Sequence, residues 1–222
     1  MGKIITIEGT DCSGKETQSK LLTEKLRNMG YRVSMLSLPF YDSPTGKIIA
    51  GPYLAKFGEG YFKEGASNVP PYVASLYYTA DRVYNKNRLL KILNENDFVV
   101  LDRYMFSNLA HHGSKIADHK EKVKFWDFMD KLELEMLELP KSDYTFFLHM
   151  PTDVAVELRK NREEKADQHE IDVAYLRKTE KVYLELCDRY NIEKIECSTD
   201  GKPKSIAQIN EELLSKLLQK IK

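Results

Sequence analysis

Residues able to hold a phosphate chain stand within the first twenty positions. Gly9, Gly14 and Lys15 meet the spacing G-x-x-x-x-G-K. The loop Gly9-Thr10-Asp11-Cys12-Ser13-Gly14-Lys15 follows the apolar, β-branched run Ile4-Ile5-Thr6-Ile7. It precedes Gln18 to Met29, where Leu21, Leu22, Leu26 and Met29 recur at helical spacing. Strand, glycine loop and helix in that order suit a phosphate cradle. Glycines let backbone N–H groups converge, the helix N-terminus adds partial positive charge, and lysine adds a full one. The alternative is a Gly-rich turn without a ligand. The residue after the lysine should carry a hydroxyl for Mg²⁺; here it is Glu16, with Thr17 one place later.

A second chemical signal is Asp102-Arg103-Tyr104, directly after the apolar run Phe98 to Leu101. The aspartate could hold Mg²⁺ or its water, and the arginine could clamp a phosphate. The bland alternative is an ion pair that stops a strand. Asp81-Arg82 lies among Tyr77, Tyr78 and Tyr84; an arginine on an aromatic face suits a nucleobase or phosphate, and a helix-surface ion pair is the competing reading. Arg159, Lys160 and Arg162 enter the polar stretch Glu163 to Glu170 and could close over transferring phosphates, or simply be solvated. Histidines 111, 112, 119, 149 and 169 lack metal-ligand spacing. Cys12, inside the loop at a helix N-terminus, is placed to have a lowered thiol pKa.

The elements that must position these groups alternate along the chain. Strands are expected at 3–8, 31–38, 98–101, 144–150 and 192–197. Helices are expected at 18–29, 45–56 with a kink at Gly51-Pro52, 71–94, 107–139 with a break at His111-His112-Gly113, 152–162, 171–190 and 205–221. Val123, Trp126, Met129, Leu132 and Met136 form one inward stripe, and Ile206, Ile209, Leu213 and Leu217 another. This pattern predicts a five-stranded parallel sheet covered by helices on both faces, with ligands at the carboxyl ends of the strands.

The 222 residues suit a single domain spanning 1–222, with a P-loop at 9–17 and a short lid near 159–171. Lys+Arg equals Asp+Glu at 34 each, so overall charge favours neither nucleic acid nor an anionic membrane. Three cysteines in no metal-binding pattern, no signal-peptide pattern and no apolar run near the ~20 residues of a membrane span lead us to expect a soluble, cytoplasmic protein.

Together these motifs resemble the thymidylate kinase (dTMP kinase) family of P-loop nucleoside-monophosphate kinases. Glu8 to Gln18 matches E-G-x-D-x-x-G-K-x-T-Q, and Asp102 to Ala110 matches D-R-Y-x-x-S-x-x-A. Tyr78 and Arg82 match an aromatic-x-x-x-Arg helix, and Arg159 and Arg162 an R-x-x-R lid, all in the family's order. The resemblance implies a P-loop NTPase fold and Mg²⁺-dependent phosphoryl transfer from ATP to dTMP, in a homodimer. It implies that Gly9, Thr10, Asp11, Cys12, Ser13, Gly14, Lys15, Glu16 and Thr17 bind ATP. Asp11, Asp102 and Thr17 would serve the metal. Asp11, Pro39, Tyr78, Arg82, Arg103, Asn108 and His111 would bind the acceptor, with Arg82 bonded to the thymine, Tyr78 stacked on it and Asn108 at its edge. Lys15, Asp11, Arg103, Arg159 and Arg162 would be catalytic. The chain departs from the family pattern at Glu16, at Phe40-Tyr41 after Pro39 and at His111. Other readings keep the fold and change the acceptor to a nucleoside or another monophosphate. A further one is a nucleotide-binding regulator without turnover.

Overall fold

The computed structural model describes residues 1–10, 12–58, 60–159 and 173–221. Five strands, β1 (Lys3–Gly9), β2 (Val33–Ser37), β3 (Phe98–Asp102), β4 (Tyr144–His149) and β5 (Glu193–Glu196), form one parallel sheet in the order β2-β3-β1-β4-β5. Ile5 pairs with Val100 on one side and Tyr144 on the other. The order runs outward from β1 in both directions, so a crevice opens at the carboxyl ends of β1 and β3.

Alternation along the central strands divides the core. Ile5, Ile7, Val100, Phe146, Leu148 and Ile195 face α1 (Lys15–Asn28), α7 (Thr152–Arg159) and α9 (Ile206–Lys220) through Leu22, Leu26, Ala155, Ile209, Leu213 and Leu217. On the other face Ile4, Val99 and Leu101 pack on Leu89 and Leu93 of α4 (Lys86–Glu95). Phe147 packs there with Leu109 of α5 (Met105–Gly113), Trp126 of α6 (His119–Asp130) and Leu186 of α8 (Val173–Tyr190). Each fully buried Leu or Phe contributes about 1.5–3 kcal/mol of transfer free energy.

Several sequence expectations are corrected. The segment 45–56 is not one helix: α2 (Pro44–Ile48) gives way to a π-helical turn at Ile49–Tyr53, which accommodates Pro52. The long helix from Pro71 is two, α3 (Pro71–Tyr84) and α4, meeting at Asn85. The break expected at His111–Gly113 falls after them, because these residues complete α5 and α6 begins behind the Asp118 N-cap. A π-helical turn at Lys131–Met136 shifts the phase of the following face, leaving Met136 exposed and Glu133 buried. Ile206 is also exposed, as the first residue of α9 behind the Ser205 capping box. The turn at Gly201 carries an unexpected two-stranded ladder, β6 (Ser198–Thr199) with β7 (Lys202–Pro203). Among the described residues no helix is long and apolar enough to cross a membrane.

Candidate functional site

A cavity of about 320 Å³ opens at the carboxyl ends of β1 and β3. One end is the loop after β1. Gly14 sits at φ 78°, a left-handed conformation that costs glycine little. Gly9 is required for space: a Cβ there would lie 2.4 Å from Ser13 Oγ and 2.9 Å from the Leu148 carbonyl. Cys12, Gly14, Lys15, Glu16 and Thr17 line the cavity. Thr10 is used structurally: its Oγ1 donates to the Met150 carbonyl at 2.8 Å, tying the loop to the end of β4. Lys15 is buried and its Nζ donates to the Thr10 carbonyl at 2.7 Å. Glu16 turns outward to Lys20 at 2.5 Å, so its carboxylate is engaged on the helix surface.

Across the crevice, Asp102 closes β3. Its Oδ2 accepts from Ser37 Oγ at 3.5 Å, while its buried Oδ1 has no hydrogen-bond partner among the described residues. Arg103 is held at φ 66°, an uncommon conformation for a side chain of its size. Its Nη1 lies 3.3 Å from Ser107 Oγ and 3.4 Å from His111 Nε2. Tyr175 OH meets His111 Nδ1 at 3.2 Å, so both ring nitrogens of His111 are occupied. Beneath this segment Glu8 is fully buried. Its Oε1 accepts from the backbone N–H of Tyr104 at 2.9 Å and of Ser107 at 3.2 Å. Its Oε2 accepts from Ser107 Oγ at 2.5 Å and Tyr183 OH at 3.2 Å. One carboxylate therefore joins β1, the β3–α5 junction and α8.

The far end is built by α3 and α5. Asp81 and Arg82, adjacent on α3, are buried and are not paired to each other on the surface. Asp81 gathers the segment after the cis peptide Leu38–Pro39, accepting from Phe40 N, Ser43 Oγ and Thr45 Oγ1, each at 2.8 Å. Arg82 Nη2 pairs with the buried carboxylate of Glu133, and its Nε has no partner among the described residues. Asn108 directs Nδ2 to the Ser75 carbonyl at 3.3 Å and to Glu133 Oε1 at 3.4 Å. Both neighbours only accept, which fixes the amide orientation and leaves Asn108 Oδ1 buried without a partner among the described residues. Tyr78 lines the cavity, its ring 5.4 Å from that of His112. Lys56 lies over the Tyr41 ring at 4.6 Å, and both line the cavity. Behind this wall Lys115 donates to the carbonyls of Ala66 at 2.8 Å and Val69 at 3.0 Å, and burial pulls its ammonium pKa down to about 8.

The family model for thymidylate kinase matches residues 7–208. The chain belongs to the thymidylate kinase family. A thymidylate kinase from Mycobacterium tuberculosis is 29% identical over 189 residues, covering 82% of this chain and 85% of the relative. A probable thymidylate kinase from Thermococcus kodakarensis is 31% identical over 192 residues, covering 86% and 87%. The solved thymidylate kinase from Candida albicans, 25% identical, superimposes with a TM-score of 0.73 over 98% of this chain and 92% of that one. The architecture is thus the P-loop NTPase fold of the family.

Of the residues singled out from the sequence, Cys12, Gly14, Lys15, Glu16, Thr17, Pro39, Tyr78, Arg82, Asp102, Arg103, Asn108 and His111 share the one cavity. Gly9, Thr10 and Ser13 shape the loop from behind. Arg159 ends α7 and is not on the cavity wall. Asp11, Lys160 and Arg162 lie outside the described residues, as does most of the 159–171 segment. Sequence reasoning missed Glu8, Ser37, Lys56, Asp81 and Glu133 as site-building residues. Glu133 did leave a signal: it stands four residues after Met129 and seven after Trp126, a carboxylate on an otherwise apolar helix stripe.

Proposed function

We propose that the chain transfers the γ-phosphoryl group of ATP to dTMP, giving dTDP and ADP. One observation carries this reading: two leftover atoms on residues that line the α3–α5 end of the cavity. Arg82 Nε is a buried donor and Asn108 Oδ1 a buried acceptor, neither with a partner among the described residues. A buried polar group left unpaired costs about 1–3 kcal/mol, so the pair calls for a ligand edge that accepts beside a donor. Thymine offers that edge in its O4 and N3–H. Cytosine presents the reverse, an N4 amine beside an acceptor N3. Tyr78 supplies a ring beside this edge, as a stacking surface requires.

In this assignment the loop amides and Lys15 hold the ATP phosphates, and Arg103 holds the acceptor phosphate. An ionised phosphate oxygen of dTMP attacks the γ-phosphorus while its bond to the β,γ-bridging oxygen breaks, and ADP leaves with that electron pair. The attacking oxygen carries no proton, so no general base is needed. The protein's part is alignment and neutralisation of charge. Asp102 suits a hard cation, because its buried Oδ1 is unpartnered at the phosphate end. Magnesium commonly takes one or two carboxylates and completes its shell with phosphates and water. Asp102, with Thr17, would hold it, and the ion would supply charge neutralisation on the triphosphate. Asp11, Arg159 and Arg162 belong to the same proposal, as acceptor contact and lid cations.

The test is ADP release in the presence of ATP, Mg²⁺ and a panel of thymidine, dTMP, dUMP, dCMP and dAMP. Turnover with dTMP, and little with dCMP or dAMP, is expected. Turnover with thymidine but not dTMP would move the assignment to a nucleoside kinase. ATP binding without turnover on any acceptor would leave a regulator. The partner we propose is a second copy of the chain. Tyr72, Val73 and Leu76 of α3 and Phe128 of α6 are exposed together, with the Tyr72 and Phe128 rings 5.3 Å apart; sedimentation equilibrium would read the dimer. The three free cysteines fit a reducing location, and the cytoplasm is the one we propose.

A further inference from the structure

Glu133 sits behind the base end of the cavity and does not line it. It is 1% exposed, and its Oε1 alone accepts from three side chains: Thr79 Oγ1, Arg82 Nη2 and Asn108 Nδ2. Two of the three, Arg82 and Asn108, line the cavity, and each keeps one buried side-chain atom, Nε and Oδ1, without a partner among the described residues. The third, Thr79, has its Oγ1 3.1 Å from the Ser75 carbonyl, the second acceptor that Asn108 uses. The four side chains therefore form one network with a single negative charge at its centre. A carboxylate only accepts, so Asn108 must turn its amine inward and leave its carbonyl oxygen over. Arg82 must spend Nη2 on the carboxylate, which leaves Nε over.

We propose that Glu133 is the positioning residue that sets pyrimidine choice in this chain, by fixing which atoms of Arg82 and Asn108 remain available to the base. This deepens the dTMP kinase reading and rests on it. The carboxylate touches no substrate; it acts through the two residues that would. With it in place the cavity offers donor beside acceptor, the complement of O4 and N3–H. Without the charge, the guanidinium keeps at most a neutral acceptor. A side-chain amide at 133 can donate as well as accept, so it no longer obliges Asn108 to turn its amine inward, and the reversed Asn108 amide suits the N3 of cytosine.

The experiment compares kcat/KM for dTMP and dCMP in wild type, Glu133→Gln and Thr79→Val, with thermal unfolding of each protein. Thr79→Val removes one donor to the same oxygen and keeps the carboxylate. Glu133→Gln is expected to lower the dTMP-over-dCMP ratio by at least about tenfold, chiefly through KM for dTMP, with KM for ATP unchanged. Thr79→Val is expected to shift the ratio in the same direction by less. A ratio that stays at the wild-type value in folded Glu133→Gln overturns the proposal, whatever happens to thermal stability. If Glu133→Gln does not fold, Thr79→Val decides: an unchanged ratio there overturns it. Wild type that never preferred dTMP would instead refute the dTMP kinase reading itself, so the two failures are distinguishable.

Discussion

Replacing Glu8 by glutamine removes one charge and almost no volume from the junction between β1, the β3–α5 turn and α8. The consequence can be worked atom by atom. Oε1 serves two backbone N–H groups, at 2.9 and 3.2 Å, and must remain an oxygen. The new amine then occupies the place of Oε2, facing Ser107 Oγ and Tyr183 OH, which lie 2.9 Å from each other. Hydroxyls can rotate to accept, so no group is stranded. What is lost is charge assistance, and hydrogen bonds to a charged group net about 1.5–3 kcal/mol, against about 1 for neutral ones. We expect a loss of about 2 kcal/mol, which for a chain of this size lowers Tm by about 4–8 °C. Glu8→Leu, by contrast, orphans two N–H groups and one hydroxyl proton, since Ser107 and Tyr183 can still bond to each other, and should leave too little stability to recover folded protein. Because Tyr104 N anchors the residue after Arg103, whose left-handed backbone costs about 1–2 kcal/mol, Glu8→Gln should raise KM for the acceptor more than KM for ATP. Differential scanning fluorimetry and initial rates with each substrate varied would read both effects. Glu8→Gln with wild-type Tm and both KM values unchanged would refute the reasoning, as would a Glu8→Leu protein more stable than Glu8→Gln.

Alkylation of Cys12, which lines the phosphate end of the cavity, should block ATP binding; ATP affinity that survives full modification by iodoacetamide would sink that expectation. Arg159→Ala and Arg162→Ala should each lower kcat far more than dTMP affinity, and steady-state kinetics showing an unchanged kcat in both would remove the lid role. Asp102→Asn should raise the Mg²⁺ concentration for half-maximal rate by about tenfold, checked by titration at fixed ATP. His149 sits between Glu180 at 2.9 Å and Glu196 at 2.7 Å. Chiefly through its bond with Glu180, its pKa is raised above 6.5, so the stabilisation is fully present below about pH 6.5 and is lost as pH rises through the higher folded value. The stability gap between wild type and His149→Gln, measured by urea unfolding, should therefore shrink from pH 6.5 to pH 9. A constant gap would contradict it.

The sheet and the phosphate end were legible because local rules dominate there. The run Ile4 to Ile7, Gly9, Gly14 and Lys15 each carry a strong backbone preference, and β3 announces itself as an uninterrupted apolar run. The α3–α5 end of the cavity was only half legible. Tyr78, Arg82 and Asn108 could be placed by the resemblance, but Glu133 reaches them across 51 and 25 residues of sequence, a separation that no helical or strand period encodes. Asp81 was misjudged for a related reason: beside Arg82 it reads as an ion pair, whereas neighbours on a helix diverge and each found a partner elsewhere. The π-helical turns at Ile49–Tyr53 and Lys131–Met136 escaped because a single inserted residue leaves the composition of a helix unchanged.

The adjacency of Asp81 and Arg82 has a consequence for the shape of the cavity. Asp81 holds the loop after Pro39, and Arg82 holds Glu133 at the α3–α5 end of the cavity, so both anchors ride on one turn of α3. Neither can shift without the other. On the proposed assignment, the wall that would meet the base and the loop after Pro39 are set apart by one rigid helical turn, in the manner of a caliper locked at one opening.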